Sequence, residues 1–220
     1  MITLEKVQKN QQVLEFINQT EKAMEALEYT NHGLRHSNIV AERAIQIAED
    51  IGLSKREGEL AAIAGFCHDM GNFMTRTYHH FFGATLFHQI FSADFEPKEM
   101  AKIMQAISNH DKEEMNFTNA ISAVLVLADK SDVDRSRVTK TDPDHFKDDI
   151  HDRVNYAATE STVTIDKQKK EIILALKIDT NVCPVMEYFE IFTARMTFCR
   201  KAAHFLGYEF GLVINGFDLL

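Results

Sequence analysis

His36, His68, Asp69, His79, His110 and Asp129 each sit at the end of, or inside, a stretch whose other residues are apolar and helix-patterned. Ionisable groups on core-facing segments need partners that neutralise them, because a buried charge is costly unless paired. A shared metal centre is the simplest such partner. Imidazole and carboxylate ligands together suit Fe, Mn, Zn, Co or Ni without choosing among them. A divalent ion lowers the pKa of a bound water, giving a hydroxide that can attack phosphorus at neutral pH.

The His-Asp dipeptide alone is a weak signal. Ten His and 15 Asp in 220 residues give about 0.7 such pairs by chance, and the chain has three. His151-Asp152, among Asp148, Asp149 and Arg153, reads as a solvated helix face. His110-Asp111 is ambiguous. His68-Asp69 follows Leu60-Ala61-Ala62-Ile63-Ala64-Gly65-Phe66-Cys67 and precedes Gly71. It therefore ends a buried helix, where two titratable groups call for a compensating cation.

Upstream, His36 opens a segment whose Val40, Ala44, Ile47 and Ile51 fall on one face. Read alone, it is a helix-start residue beside Asn38. Downstream, Asp129 follows a largely apolar run, and alone it reads as a buried cap or ion-pair partner. Their order is His, then His-Asp on the next helix, then Asp at the end of a later one. It resembles the H…HD…D signature of the HD superfamily of metal-dependent phosphohydrolases, over roughly residues 30–138. The resemblance implies a helical core that binds metal through His36, His68, Asp69 and Asp129.

Two-metal branches of that superfamily include cyclic-dinucleotide phosphodiesterases and symmetrical dinucleoside-tetraphosphate hydrolases. They place a His four residues before a Gly, and another at the end of the following helix. His79, ahead of Gly83, and His110 match those positions, and Asp69 would then bridge two cations with one oxygen to each. Without the resemblance, His79 and His80 read as loop residues, and His110 as a helix C-terminal His favoured by the dipole. His80 is the rival to His79; His32, His88, His145 and His204 read as structural or exposed. Two features depart from the family. Met70-Gly71-Asn72 follows the dipeptide where many HD enzymes carry Ile-Gly-Lys. Asp111-Lys112-Glu113-Glu114 follows His110 in place of a GYP-type continuation, which disfavours a cyclic-di-GMP phosphodiesterase. Lys130, Arg135 and Arg137, close behind Asp129, are the candidates for holding substrate phosphate, although surface solvation is the commoner fate of such residues.

Helices must position these groups. Helical periodicity runs from Leu4 to about Glu28, and over roughly 37–51, 55–68, 79–92, 97–110 and 115–131. Gly52 closes one helix, Ser54 caps the next, and Pro97 suits a first turn. After a polar linker at Thr139–Asp144, a short charged helix candidate reaches about Tyr156. Residues 159–166 and 171–178 are β-branched and apolar around a charged turn, which predicts a hairpin. Pro184 to about Leu206 is amphipathic, with Gly207 as its stop, and Phe210–Asn215 alternates as a last strand. The expected fold is mainly α: an HD-type helical bundle over residues 1–140, with a C-terminal α+β (β-β-α-β) lobe over 141–220.

The net charge of −9 argues against duplex nucleic acid as a partner, which needs a basic footprint. It is compatible with a nucleotide-sized substrate, because bound cations neutralise phosphates locally. Cys67, Cys183 and Cys199 read as reduced, buried thiols, with no CxxC site. No signal-peptide core and no membrane-length apolar run is present, so a cytoplasmic location without membrane partners is expected. The sequence admits a homo-oligomer. The resemblance implies a phosphohydrolase acting on a small phosphate ester or anhydride, a nucleotide first among them, through a metal-activated hydroxide. It would use two divalent ions, with Asp69 bridging and Lys130 holding the phosphate. Two readings from other classes stay open: a di-iron oxygenase with the same six ligands, and a non-catalytic sensor or interaction module stabilised by metal.

Overall fold

The computed structural model describes residues 2–112, 114–139 and 149–219. Most of the expected linker, and His145, lie outside the described residues. The first helical stretch is two helices rather than one, α1 (Leu4–Gln8) and α2 (Gln11–Ala26). Asn10 divides them: its side chain accepts from the backbone N–H groups of Gln12 and Val13 and so caps α2. Next come α3 (Leu34–Asp50), α4 (Lys55–Cys67), α5 (His79–Phe91), α6 (Pro97–Asn109) and α7 (Ala120–Lys130). Ser54 and Glu57 form a reciprocal capping box at the start of α4. Helix α7 starts later than its periodicity predicts, because Asn119 accepts from Ser122 N–H and sets the boundary there.

Helix α4 is the axis of the bundle. Leu60 through Cys67 are all buried, and the helix packs against α3, α6 and α7. A helix apolar on every side can only be central. Its C-terminal end is therefore an interior point, and whatever follows Cys67 is delivered to the middle of the protein.

The C-terminal part contains α8 (Ile150–Ala157), β1 (Ala158–Asp166), β2 (Glu171–Ile178), α9 (Val185–Phe205), β3 (Glu209–Ile214) and β4 (Phe217–Asp218). The sheet order is β1-β2-β3-β4. β1 and β2 form the expected antiparallel hairpin, and α9 is the crossover that makes β2 and β3 parallel. Strand β4 was not expected, so the lobe is β-β-α-β-β. Asn215 and Gly216, both at positive φ (53° and 82°), form the tight two-residue turn that returns the chain antiparallel to β3.

The lobe is joined to the bundle by packing as well as by the chain. Helix α9 packs on α7, and one apolar cluster runs through both parts. Arg43 of α3 donates to Ser131 Oγ (3.0 Å) and to the Ser161 carbonyl in β1 (2.8 Å). The three cysteines are buried and free. Among the described residues no helix is long and apolar enough to cross a membrane. The solvated-face reading of His151-Asp152 needs correction: His151 is exposed, but Asp152 is buried in the first turn of α8.

Candidate metal centre

Five helix ends converge on one point. His36 lies in the first turn of α3, and His68-Asp69 directly follows α4. His79 opens α5, His110 directly follows α6, and Asp129 is in the last turn of α7. All six side chains are buried. Two glycines allow the approach. A Cβ on Gly71 would lie 2.6 Å from Gly83 N and against the His79 carbonyl, and one on Gly83 would lie 3.1 Å from the His68 carbonyl. The chain leaving α4 thus runs directly against the first turns of α5.

Each of the four histidines has its Nδ1 committed. His68 Nδ1 donates to the Gly65 carbonyl (2.7 Å), His110 Nδ1 to Ile107 (2.7 Å) and His79 Nδ1 to Arg76 (2.8 Å). His36 Nδ1 donates to Asp132 Oδ2 at 2.7 Å. Carbonyl and carboxylate oxygens accept here, so Nδ1 carries a proton in each ring and Nε2, turned inward, is the nitrogen left to bind a cation. Those Nε2 atoms are close: 3.2 Å between His36 and His68, and 3.0 Å between His79 and His110. Two lone pairs facing at that distance repel unless a positive charge lies between them.

The carboxylates complete the pattern. Asp69 Oδ2 faces His68 (3.1 Å) and His36 (3.6 Å), while Oδ1 faces His79 (3.2 Å) and His110 (3.5 Å). Asp129 Oδ1 faces His36 (3.3 Å) and His68 (3.5 Å), and its Oδ2 meets Lys130 Nζ at 2.8 Å. His36, His68 and Asp69 can together hold a metal ion, as can Asp69, His79 and His110. The donor set is chemically matched to a divalent cation.

Electrostatics point the same way. Burial opposes charge at His68, yet Asp69 and Asp129 raise its imidazole to about 10, so in the absence of a cation a proton takes that place. Burial would raise Asp69, but His68, His110 and His79 hold it well below the carboxylate range. Burial, reinforced by the charges of His68 and His79, lowers His110 to about 4, the form a metal requires.

Above the cluster lies a small, strongly polar pocket walled by His32, Arg76, Asp111, Lys130, Arg137 and Arg195 as well as by ligand candidates. Lys130 Nζ lies 3.2 Å from Asp111 Oδ1, and Arg137 donates to the carbonyls of Asp132 (2.9 Å) and Asn31 (3.2 Å). Arg135 does not reach the pocket; it is exposed and stacks on the Tyr156 ring. His32, read from sequence as structural or exposed, is buried in the pocket wall with its ring against His36. His80 is buried too, but among the described contacts its ring meets those of His79, His110 and Phe81, and its Nδ1 makes no hydrogen bond. Asn72, at the position where the familiar lysine is missing, donates to Asp69 Oδ1 at 2.9 Å and holds the carboxylate in place.

Sequence reasoning missed Asp132, Asn72, Arg76, His32 and Arg195. Two had a legible signal: Asn72 and Asp132 each stand three residues after a singled-out Asp, at the spacing of one helical turn.

The HD domain family model matches residues 33–136. A search of curated proteins returns no match. The matched segment supplies every member of the buried His/Asp cluster, so the candidate site lies wholly within the part of the chain that is similar to an HD domain.

Proposed function

We propose that this protein is a metal-dependent phosphohydrolase that acts on a small phosphate ester or anhydride, with nucleotides as the first class to test. An HD domain suggests a hydrolase-type function dependent on divalent metal. The observation that carries the finer reading is the division of Asp69, with Oδ2 turned to the His36–His68 pair and Oδ1 to the His79–His110 pair. His36, His68, Asp69 and Asp129 would hold one ion, and Asp69, His79 and His110 a second; bound there, such ions would supply Lewis acidity and an activated water.

The chain's own residues do the rest. The Nδ1 hydrogen bonds fix ring orientation, so no reorganisation is needed when the site is used. Asp129 and Asp111 hold Lys130 charged against the penalty of its burial, with its ammonium in the pocket wall. Lys130, Arg76 and Arg137 present donors where a phosphoryl group would sit over the cluster. The test is elemental analysis of protein purified without added metal, paired with a phosphatase screen over nucleotides and simple phosphate esters. About two ions per chain and turnover of at least one phosphate ester are expected. Absence of metal, or turnover that requires oxygen and acts on none of the phosphates, would overturn the reading.

A further inference from the structure

Helix α9 belongs to the C-terminal lobe, and the face it turns to α7 is apolar: Tyr188, Phe192, Cys199, Ala202 and Ala203 are buried. Arg195 interrupts that face, at helical spacing between Phe192 and Cys199. Its guanidinium stacks on the Phe192 ring at 4.4 Å and reaches the pocket over the His/Asp cluster. The other cations there have partners. Lys130 is paired with Asp129 and Asp111, Arg76 lies 3.6 Å from Asp111, and Arg137 holds two carbonyls. Arg195 makes no hydrogen bond or ion pair among the described residues. A partly buried guanidinium without an acceptor is costly, and the pocket offers it solvent or a ligand, nothing else.

Charge identifies the ligand. The pocket wall carries three carboxylates, Asp69, Asp111 and Asp129, against four cations, Arg76, Lys130, Arg137 and Arg195. Any divalent ion held by the cluster leaves the pocket positive, so its occupant is an anion. A planar fork stacked on an aromatic ring is pre-oriented to bind two oxygens of a tetrahedral oxyanion.

We propose that Arg195 is a phosphate-binding residue of this site, so that the C-terminal lobe completes the substrate pocket of the helical domain and contributes to specificity for phosphate. The proposal rests on the phosphohydrolase reading. It is tested by calorimetric titration of the metal-loaded, full-length protein with inorganic phosphate, comparing wild type with Arg195→Lys and Arg195→Met, and measuring metal on the same samples. Arg200→Met is the control, because Arg200 is exposed on α9 and faces Phe210 and Leu212. Arg195→Met is expected to keep its metal and to bind phosphate at least ~10-fold more weakly, with a flatter dependence on ionic strength. Arg195→Lys should fall between, and Arg200→Met should match wild type. If the Met variant does not fold, Arg195→Gln, which keeps the stem and a polar end but loses the charge, carries the same comparison. Wild-type phosphate affinity in a metal-loaded, charge-neutral variant would overturn the role of Arg195 alone. Metal-loaded wild type that binds no phosphate would overturn the phosphohydrolase reading and this proposal together.

Discussion

Asp132 Oδ2 accepts the Nδ1 proton of His36 across 2.7 Å, between residues 96 apart in the chain. The same oxygen takes Arg35 Nη1 at 2.7 Å, so the carboxylate is fixed from two sides. Burial pushes Asp132 up, but His36, Arg137 and Arg35 hold it below the usual carboxylate range. It positions one ring of the centre. Asp132→Asn is expected to lower metal affinity about 10–100-fold with helical content unchanged, read by competition with a chelating dye and by circular dichroism. Unchanged affinity would mean that the His36 ring needs no such support.

His68→Ala and Asp69→Ala should each abolish turnover and sharply lower metal content. Either change leaves the remaining ligands under-compensated in a buried cluster. Elemental analysis beside an activity assay checks this, and full activity in either variant contradicts the proposed site.

His79 and His80 are separated by one residue of register. His79 Nε2 lies 3.0 Å from His110 Nε2 and 3.2 Å from Asp69 Oδ1, whereas burial, with the charge of neighbouring His79, lowers His80 to about 4. His79→Ala should reduce bound metal from about two ions towards about one, since an imidazole ligand is lost. His80→Ala should act more weakly, through packing. Loss of an ion only in His80→Ala would reverse the assignment, and loss in neither would argue for a mononuclear site.

At the far end of the bundle, Arg56 binds Glu99 through two bonds of 2.7 and 2.6 Å, tying α4 to α6. Arg56 is the main reason that the Glu99 carboxyl lies below its ordinary value, against a smaller opposing effect of burial. A depressed carboxylate contributes stability that is complete above its unfolded pKa, near 4.5, and is lost as pH falls through the folded value. Glu99→Gln should therefore cost about 1 kcal/mol at pH 7, with the difference from wild type shrinking below about pH 4. Urea unfolding at the two pH values measures it; a pH-independent difference would mean that the ion pair is not its source.

His151 and Asp152 should separate. His151→Ala is expected to leave stability and metal unchanged, because the ring is exposed. Asp152→Ala should lower the melting temperature by an amount equivalent to about 1 kcal/mol, because it removes a buried carboxylate from the first turn of α8. Its metal content should stay at the wild-type level. Loss of metal would place that pair, not His68-Asp69, at the centre.

By itself, the sequence determined the helical bundle, the hairpin and α9, because their periodicities and caps are local: Ser54 and Glu57, Pro97 and Gly207 act within a turn or two of the chain. It also singled out the six His and Asp residues, since an ionisable group at the end of an apolar helix is anomalous wherever it points. Only the tertiary structure decided what those groups face. The resemblance anticipated Asp69 shared between two sites, but which ring faces which oxygen depends on α3, α5 and α6 meeting at the end of α4. Asp132 behind His36, His32 in the pocket wall and Arg195 reaching over from α9 are long-range juxtapositions of the same kind. The exposed Arg135 and the buried Arg137 make the point most sharply: two residues apart and chemically identical, they part company because a short 3-10 turn at Arg135–Arg137 sends one outward and the other to the pocket.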